Sequence, residues 1–228
     1  MSFQNFSEGE LLLIDKPKDW TSFDVVAKVR NAIRIKKVGH AGTLDPMATG
    51  LLILCTGKWT KRIESFMADE KEYEGTIHFG ATTPSYDAES DVDANFPVDG
   101  LTEADLLEAV KQFTGIIQQV PPAYSAIKID GQRAYSLARK GKEVKMAPRE
   151  VEIKQFEFTR IAFPEVDFRV VCSKGTYIRS LAHDLGKAMN NGAHLSRLVR
   201  TRIGEYSLDK AWNLSELIEA IRAQRADA

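Results

Sequence analysis

Asp45 is singled out by the loop that carries it, Gly39-His40-Ala41-Gly42-Thr43-Leu44-Asp45-Pro46. Glycines admit unusual backbone angles and the close approach of a ligand, and a proline holds the residue before it out of helical geometry. The outcome is a carboxylate on a constrained loop with an imidazole, His40, a few residues before it. An ionised carboxylate so placed can act as a nucleophile, although the same residues also fit a plain Asp-Pro turn beside a surface histidine. Other chemistries lose their usual support. Gly57-Lys58 hints at a phosphate loop, but Trp59 stands where Ser or Thr must bind magnesium, and Leu52 stands where the first glycine belongs. Neither G-x-G-x-x-G nor G-x-S-x-G occurs. With four histidines and two cysteines, no cluster has zinc-ligand spacing. Cys55 and Cys172, far apart in apolar stretches, read as small buried hydrophobes.

The elements around the loop follow from periodicity. Leu11–Ile14 reads as a buried strand running into Asp15-Lys16-Pro17. Thr21 with Asp24 resembles a capping box, and Val25, Val26, Val29 and Ile33 follow at helical spacing, so a helix to about Lys36 is expected. Residues 39–50 must then be loop, Leu51–Cys55 a second buried strand, and Ile63, Phe66 and Met67 a short helix. Tyr73, Gly75, Ile77 and Phe79 alternate with polar residues and mark a half-buried strand. The acidic stretch 84–99 reads as an exposed loop. A helix capped by Thr102 and Asp105 presents Leu106, Leu107, Val110 and Phe113 and stops at Gly115. Strand patterns return at 151–163 and 166–172, a helix from about Thr176 buries Ile178, Leu181, Leu185 and Met189, and a strand near 195–200 precedes a helix from Leu214. Strands interrupted irregularly by helices predict an α+β fold with a central mixed, mainly antiparallel sheet flanked by helices.

Charge and length narrow the class. A chain of 228 residues, 43% hydrophobic, suffices for one large domain. No apolar run reaches the ~20 residues of a membrane span, and the start, MSFQNFSEGE, lacks the features of an export signal, so a soluble, cytoplasmic protein is expected. The net charge of −1 hides segregation. Residues 28–37 hold five Lys/Arg, 124–149 seven and 174–202 six, whereas 84–108 hold eight acids and no base. Such separation is the footprint of a polyanion partner, or merely solvated surface.

The motif GHAGTLDPMATGLL resembles the catalytic motif of the TruB family, the bacterial tRNA pseudouridine-55 synthases. The resemblance continues in order along nearly the whole chain. It takes in Asp15-Lys16-Pro17 with Trp20-Thr21-Ser22, Lys71-x-Tyr73, Val120-Pro121-Pro122-x-Tyr124-Ser125-Ala126-x-Lys128 and Cys172 to Arg179. Asp184-Leu185-Gly186, Gly192-Ala193-His194-Leu195 and Leu198-x-Arg200-Thr201-Arg202 complete it.

The resemblance implies a pseudouridine synthase fold with an RNA-binding thumb insertion at about 121–150, in a catalytic domain over 1–210 followed by a C-terminal helix at 211–228. Asp45 becomes the nucleophile. Burial against an extruded base disfavours the charged carboxylate, so a nearby cation is needed, and Arg179 matches the family position that pairs with the catalytic aspartate. Tyr73 matches the tyrosine that packs on the target base and a candidate for the later proton transfer. Tyr177 and Leu198 match pocket-lining positions, His40 the histidine that holds the extruded nucleotide, and Lys16 a pocket-side base. Lys128, Arg133, Arg139, Lys140, Arg200 and Arg202 are the expected RNA-binding residues. The implied partner is the T stem-loop of tRNA, and the chain is expected to act as a monomer without metal or cofactor. Many family members carry a further C-terminal RNA-binding domain; only 20 residues follow Leu208 here, so the catalytic domain alone is expected. Three other readings fit less closely: a tRNA-folding chaperone of the same fold, a synthase for another RNA, and an aspartate-dependent hydrolase using His40 and Asp45.

Overall fold

The structure, a computed structural model, describes residues 5–125, 127–129, 131–138, 140–141 and 144–226. Its first half forms β1 (Leu11–Lys16), α1 (Ser22–Ile33), β2 (Val38–His40), β3 (Thr49–Thr56), α2 (Ile63–Ala68), β4 (Lys71–Phe79), β5 (Ala81–Thr82), β6 (Ala94–Asn95), α3 (Glu103–Ala109) and β7 (Gly115–Gln119). The second half forms β8 (Lys128–Ile129), β9 (Gln132–Arg133), α4 (Ala134–Ala138), β10 (Arg149–Ala162), β11 (Glu165–Cys172), α5 (Ile178–Ala188), β12 (Ala193–Ile203), β13 (Tyr206–Ser207), β14 (Trp212–Asn213) and α6 (Leu214–Ala226). Two compact units result: one takes the chain up to Tyr73 and again from Leu198, and the other runs Glu74–Arg197. Strands β4 and β12 each begin in one unit and end in the other.

In the first unit the strand order is β14-β1-β3-β12, with β2 on β3. β3 is buried on both faces, which explains its unbroken apolar run. Side chains alternate across a strand, so Leu52 and Leu54 join Val25, Val26 and Val29 of α1 and Leu217, Ile218 and Ile221 of α6. Leu51, Ile53 and Cys55 pack on the other face with Phe66 and Ile203. Fully burying each such side chain contributes about 1.5–3 kcal/mol. The sequence from Leu214 is thus part of the first unit's core, not a polar tail. The capping box of Thr21 and Asp24 starts α1 as expected. The helix ends at Ile33 rather than near Lys36, because Arg34 turns left-handed (φ 57°) and its N–H donates back to Arg30. The expected loop over 39–50 is shorter, since Gly39 and His40 extend β2 and Thr49 and Gly50 open β3.

In the second unit the order is β12-β4-β11-β10-β7. β10 is antiparallel to both β11 and β7. α5 buries Ile178, Leu181, Ala182 and Leu185, while Met189 falls just beyond it, half-buried. The acidic stretch is exposed or half-buried as expected from Ala88 to Asp99, but Ser85 and Asp87 within it are buried, Asp87 completely. Leu107, expected on the apolar face of α3, is 45% exposed, because it lies one residue off the i, i+4, i+7 stripe on which Leu106, Val110 and Phe113 are buried. Across both units, antiparallel pairs outnumber the parallel pairs β1–β14 and β3–β12 among the described registers. The fold is therefore α+β with a mixed, mainly antiparallel sheet and flanking helices.

Candidate active site

Much of the backbone of the loop between β2 and β3 is committed. The Ala41 N–H donates to the Ile53 carbonyl at 2.9 Å. Ser22, at the start of α1, receives the Leu44 N–H at 2.9 Å and returns its hydroxyl to the Leu44 carbonyl at 3.3 Å. The Pro46 carbonyl accepts from the Asp19 N–H at 2.8 Å and from Lys16 Nζ at 3.3 Å. The Ala48 N–H closes a turn onto the Asp45 carbonyl at 3.1 Å. From β12, the Arg200 guanidinium donates to the carbonyls of Leu51 (2.8 Å), Gly42 (3.2 Å) and Thr43 (3.5 Å). That reach depends on Gly50, where a Cβ would stand 2.4 Å from the Arg200 carbonyl and block the parallel pairing of β3 with β12. With its backbone fixed from four elements, the loop presents the half-buried carboxylate of Asp45 as a rigid group. Rigid placement of a reacting group is itself a rate advantage.

His40 lies half-buried at the end of β2. Desolvation, chiefly, holds its imidazole below its ordinary pKa; a hydrogen bond with the Gly42 backbone opposes this and the Arg200 charge adds to it. His40 is therefore neutral at physiological pH, suited to packing or hydrogen bonding rather than to pairing as a cation. Lys16 is completely buried, its ammonium held by the carbonyls of Pro17, Trp20 and Pro46.

In the second unit α5 begins at a heavily braced point. Gln119, 1% exposed, exchanges two hydrogen bonds with the Tyr177 backbone, at 2.7 and 3.0 Å. The Ser180 hydroxyl donates to the Val120 carbonyl at 2.8 Å. Arg179, next in the first turn, is buried rather than solvent-facing. Its Nη1 and Nη2 donate to the carbonyls of Ser85 and Tyr124, each at 3.1 Å, and its Nε lies 3.4 Å from Asp87 Oδ2. Asp87 was not singled out in the sequence. It accepts from the Ser85 hydroxyl at 2.5 Å and the Glu89 N–H at 3.0 Å, while Thr83 bonds its carbonyl at 2.6 Å. A buried charge persists only when paired and hydrogen-bonded, so a burial signal at Asp87 would have revealed it; its place in an acidic run conceals it.

Residues 30–178 match the family model for the TruB family pseudouridylate synthase N-terminal domain, and residues 179–228 match that of the tRNA pseudouridylate synthase B C-terminal domain. The chain belongs to the TruB family. Among curated TruB-family relatives, the tRNA pseudouridine synthase B of Flavobacterium johnsoniae is 52% identical over 97% of this chain and 100% of its own length. That of Bacteroides fragilis is 51% identical over 96% of this chain and 97% of its own. A chain in the crystal structure of a Cbf5-Nop10-Gar1 complex is similar at 30% identity and a TM-score of 0.75. Another, in an H/ACA RNP bound to a substrate RNA containing 2'-deoxyuridine, is similar at 27% and 0.72. Both similarities cover 97% of this chain, which spans just over half of those longer chains, 57% and 56%.

The remaining residues of the TruB-family motifs divide by environment. Tyr73 and Leu198 are buried in the first unit, at 9% and 6% exposure, and Tyr177 is half-buried in the second. The guanidinium of Arg149 lies over the Tyr177 ring at 4.5 Å. Arg133 and Lys140 are exposed, with Arg133 near its neighbour Tyr135. Arg139 lies outside the described residues, as does the side chain of Lys128. Two of the arginines expected at RNA have other work. Arg200 is 1% exposed and serves the Asp45 loop, because its strand is central and its guanidinium is enclosed by carbonyls. Arg202 pairs with Glu70 at 2.8 Å and Glu72 at 3.7 Å. Among the described residues no cluster of three or more His, Cys, Asp or Glu side chains could hold a metal ion, and no helix is long and apolar enough to cross a membrane.

Proposed function

We infer that this chain isomerises uridine to pseudouridine in tRNA, at position 55 of the T loop, with Asp45 as the nucleophile. The observation that carries the reading is Asp45 on a backbone-locked GHAGTLDP loop in a chain of the TruB family. The near full-length similarity to proteins named tRNA pseudouridine synthase B supports tRNA as the substrate. In the reaction the N1–C1' bond breaks, the uracil turns, and a C5–C1' bond forms. The proton lost from C5 is balanced by one gained at N1. No oxidant, reductant or nucleotide is consumed, so the residues of the chain can carry the chemistry without a cofactor.

In this reading Arg179 is the cation that favours the ionised carboxylate once a base covers it. Tyr73 packs on the extruded base and is the candidate for proton transfer, with Tyr177 and Leu198 lining its pocket and His40 holding the nucleotide out of its stack. Lys16 supports the loop from beneath. Residues 121–150, with the exposed Arg133 and Lys140, grip the backbone of the T arm and offset the few kcal/mol of unstacking. The chain acts as a monomer in the cytoplasm.

The test is incubation with unmodified transcribed tRNA in metal-free buffer, mapping pseudouridine by chemical labelling, with Asp45→Asn alongside. A single modified T-loop uridine, lost with the variant, is the expected result. Tight binding without modification by either protein would favour an RNA-folding role of the same fold. Equal activity of both would remove Asp45 from the mechanism.

A further inference from the structure

Residues 85–87 are gripped by two residues of α5 that stand one turn apart. Arg179 takes the Ser85 carbonyl and the Asp87 carboxylate. Between them Tyr86 lies flat on His183, with ring centroids 3.7 Å apart and planes inclined by 9°. Tyr86 adopts φ 64°, in the left-handed region. There a bulky residue is a genuine outlier that persists only when its surroundings hold it. The backbone is held too: the Tyr86 N–H donates to Thr83, its carbonyl accepts from the Leu195 N–H, and the Ala88 N–H donates to the Leu195 carbonyl. This left-handed residue lets successive side chains leave the turn as they do, the ring to His183 and the carboxylate to Arg179.

We propose that the Tyr86–His183 stack is a positioning device for the reaction: it clamps the strained 83–90 turn onto α5 and thereby fixes the orientation of the Arg179 guanidinium. His183 is 9% exposed, and its Nδ1 has no hydrogen-bond partner among the described residues, so its ring is there for its face. Burial, chiefly, holds its pKa down to about 4, with Lys187 adding to the shift and Asp93 opposing it. The stack is therefore between neutral rings throughout the neutral range. Burial raises the Tyr86 phenol, as do Asp184 and Asp93, which keeps that ring protonated as well. Arg179 holds the turn at the Ser85 carbonyl and the Asp87 carboxylate, and the stack adds a ring-on-ring contact at the residue between them.

The proposal rests on the reading of Arg179 given above, and the experiment separates the two. Single-turnover pseudouridine formation and tRNA Kd are measured for wild type, His183→Ala, His183→Phe and Tyr86→Gly, with amide hydrogen exchange followed over residues 83–90. Tyr86→Gly relieves the left-handed strain while deleting the ring, so it reports on the stack even where His183→Ala folds poorly. Tyr86→Gly and His183→Ala should slow the chemical step by about tenfold or more, leave Kd within about twofold, and speed exchange at 86–89. His183→Phe, which keeps a flat ring, should restore both rate and protection. A wild-type rate for Tyr86→Gly, or a His183→Phe no better than His183→Ala, would overturn the proposal. So would faster exchange without a slower step. Full activity of Arg179→Ala would instead overturn the role assigned to Arg179, leaving the exchange result as a finding about the turn.

Discussion

Arg179 and Arg200 both sit in motifs that read as basic, yet each donates to backbone carbonyls inside its own unit. Arg200→Met should therefore behave as a loop defect. Leaving buried carbonyls unpaired costs about 1–3 kcal/mol, and the freed Asp45 loop should slow single-turnover modification by about tenfold or more. The tRNA Kd and its salt dependence should stay unchanged; a weaker Kd with a shallower salt slope would return Arg200 to the RNA. His183 gives a second test. Its folded pKa, about 4, lies below the ordinary 6.5, so the unfolded chain binds more protons between those values. Stability must then fall as pH drops from about 6.5 to 4, and nothing is lost above that window. Allowing for partial solvent screening, the loss is on the order of 2 kcal/mol. Urea unfolding at pH 7 and pH 4.5 should show this acid slope reduced in His183→Phe; parallel slopes would refute it.

At the level of elements, α6 belongs to the same core as β1 and β3. Leu217, fully buried, should cost about 2–5 kcal/mol when cut to Ala, while Leu107→Ala on α3 should stay within about 0.5 kcal/mol. Equilibrium unfolding of the two variants checks both values, and a Leu217→Ala as mild as Leu107→Ala would mean that α6 docks without contributing. These contrasts mark what the sequence could disclose. Where one local rule governs, the reading is sharp: the Thr21–Asp24 box starts α1, and the run from Leu51 to Cys55 is a strand with both faces covered. The Asp45 loop was legible for the same reason, since glycines and a proline act on their immediate neighbours. Leu107 was misassigned because a neighbour of an apolar residue was taken into its stripe, whereas Leu106, Val110 and Phe113 alone share the buried face. Asp87 and Arg200 were misread because their partners lie far along the chain. An acid among acids and a base among bases look solvated until tertiary contacts close around them.

For the molecule as a whole, a net charge of −1 gives no general attraction to RNA, so binding must come from where the positive charge lies. Arg133 and Lys140 are exposed on the segment proposed to grip the T arm. Each phosphate contact releases condensed counterions, which steepens the fall of log affinity with log salt by about 0.7–0.9. Replacing both by Ala should flatten that slope by about 1.5 and weaken binding, while single-turnover modification at saturating protein stays near wild type. Lys58 and Lys111 supply the control, being exposed but paired with Glu8 and Glu108. Removing those two changes the net charge by the same amount. An equal flattening from either pair would mean that RNA senses the overall field; flattening from Arg133 and Lys140 alone locates the grip in the 121–150 segment.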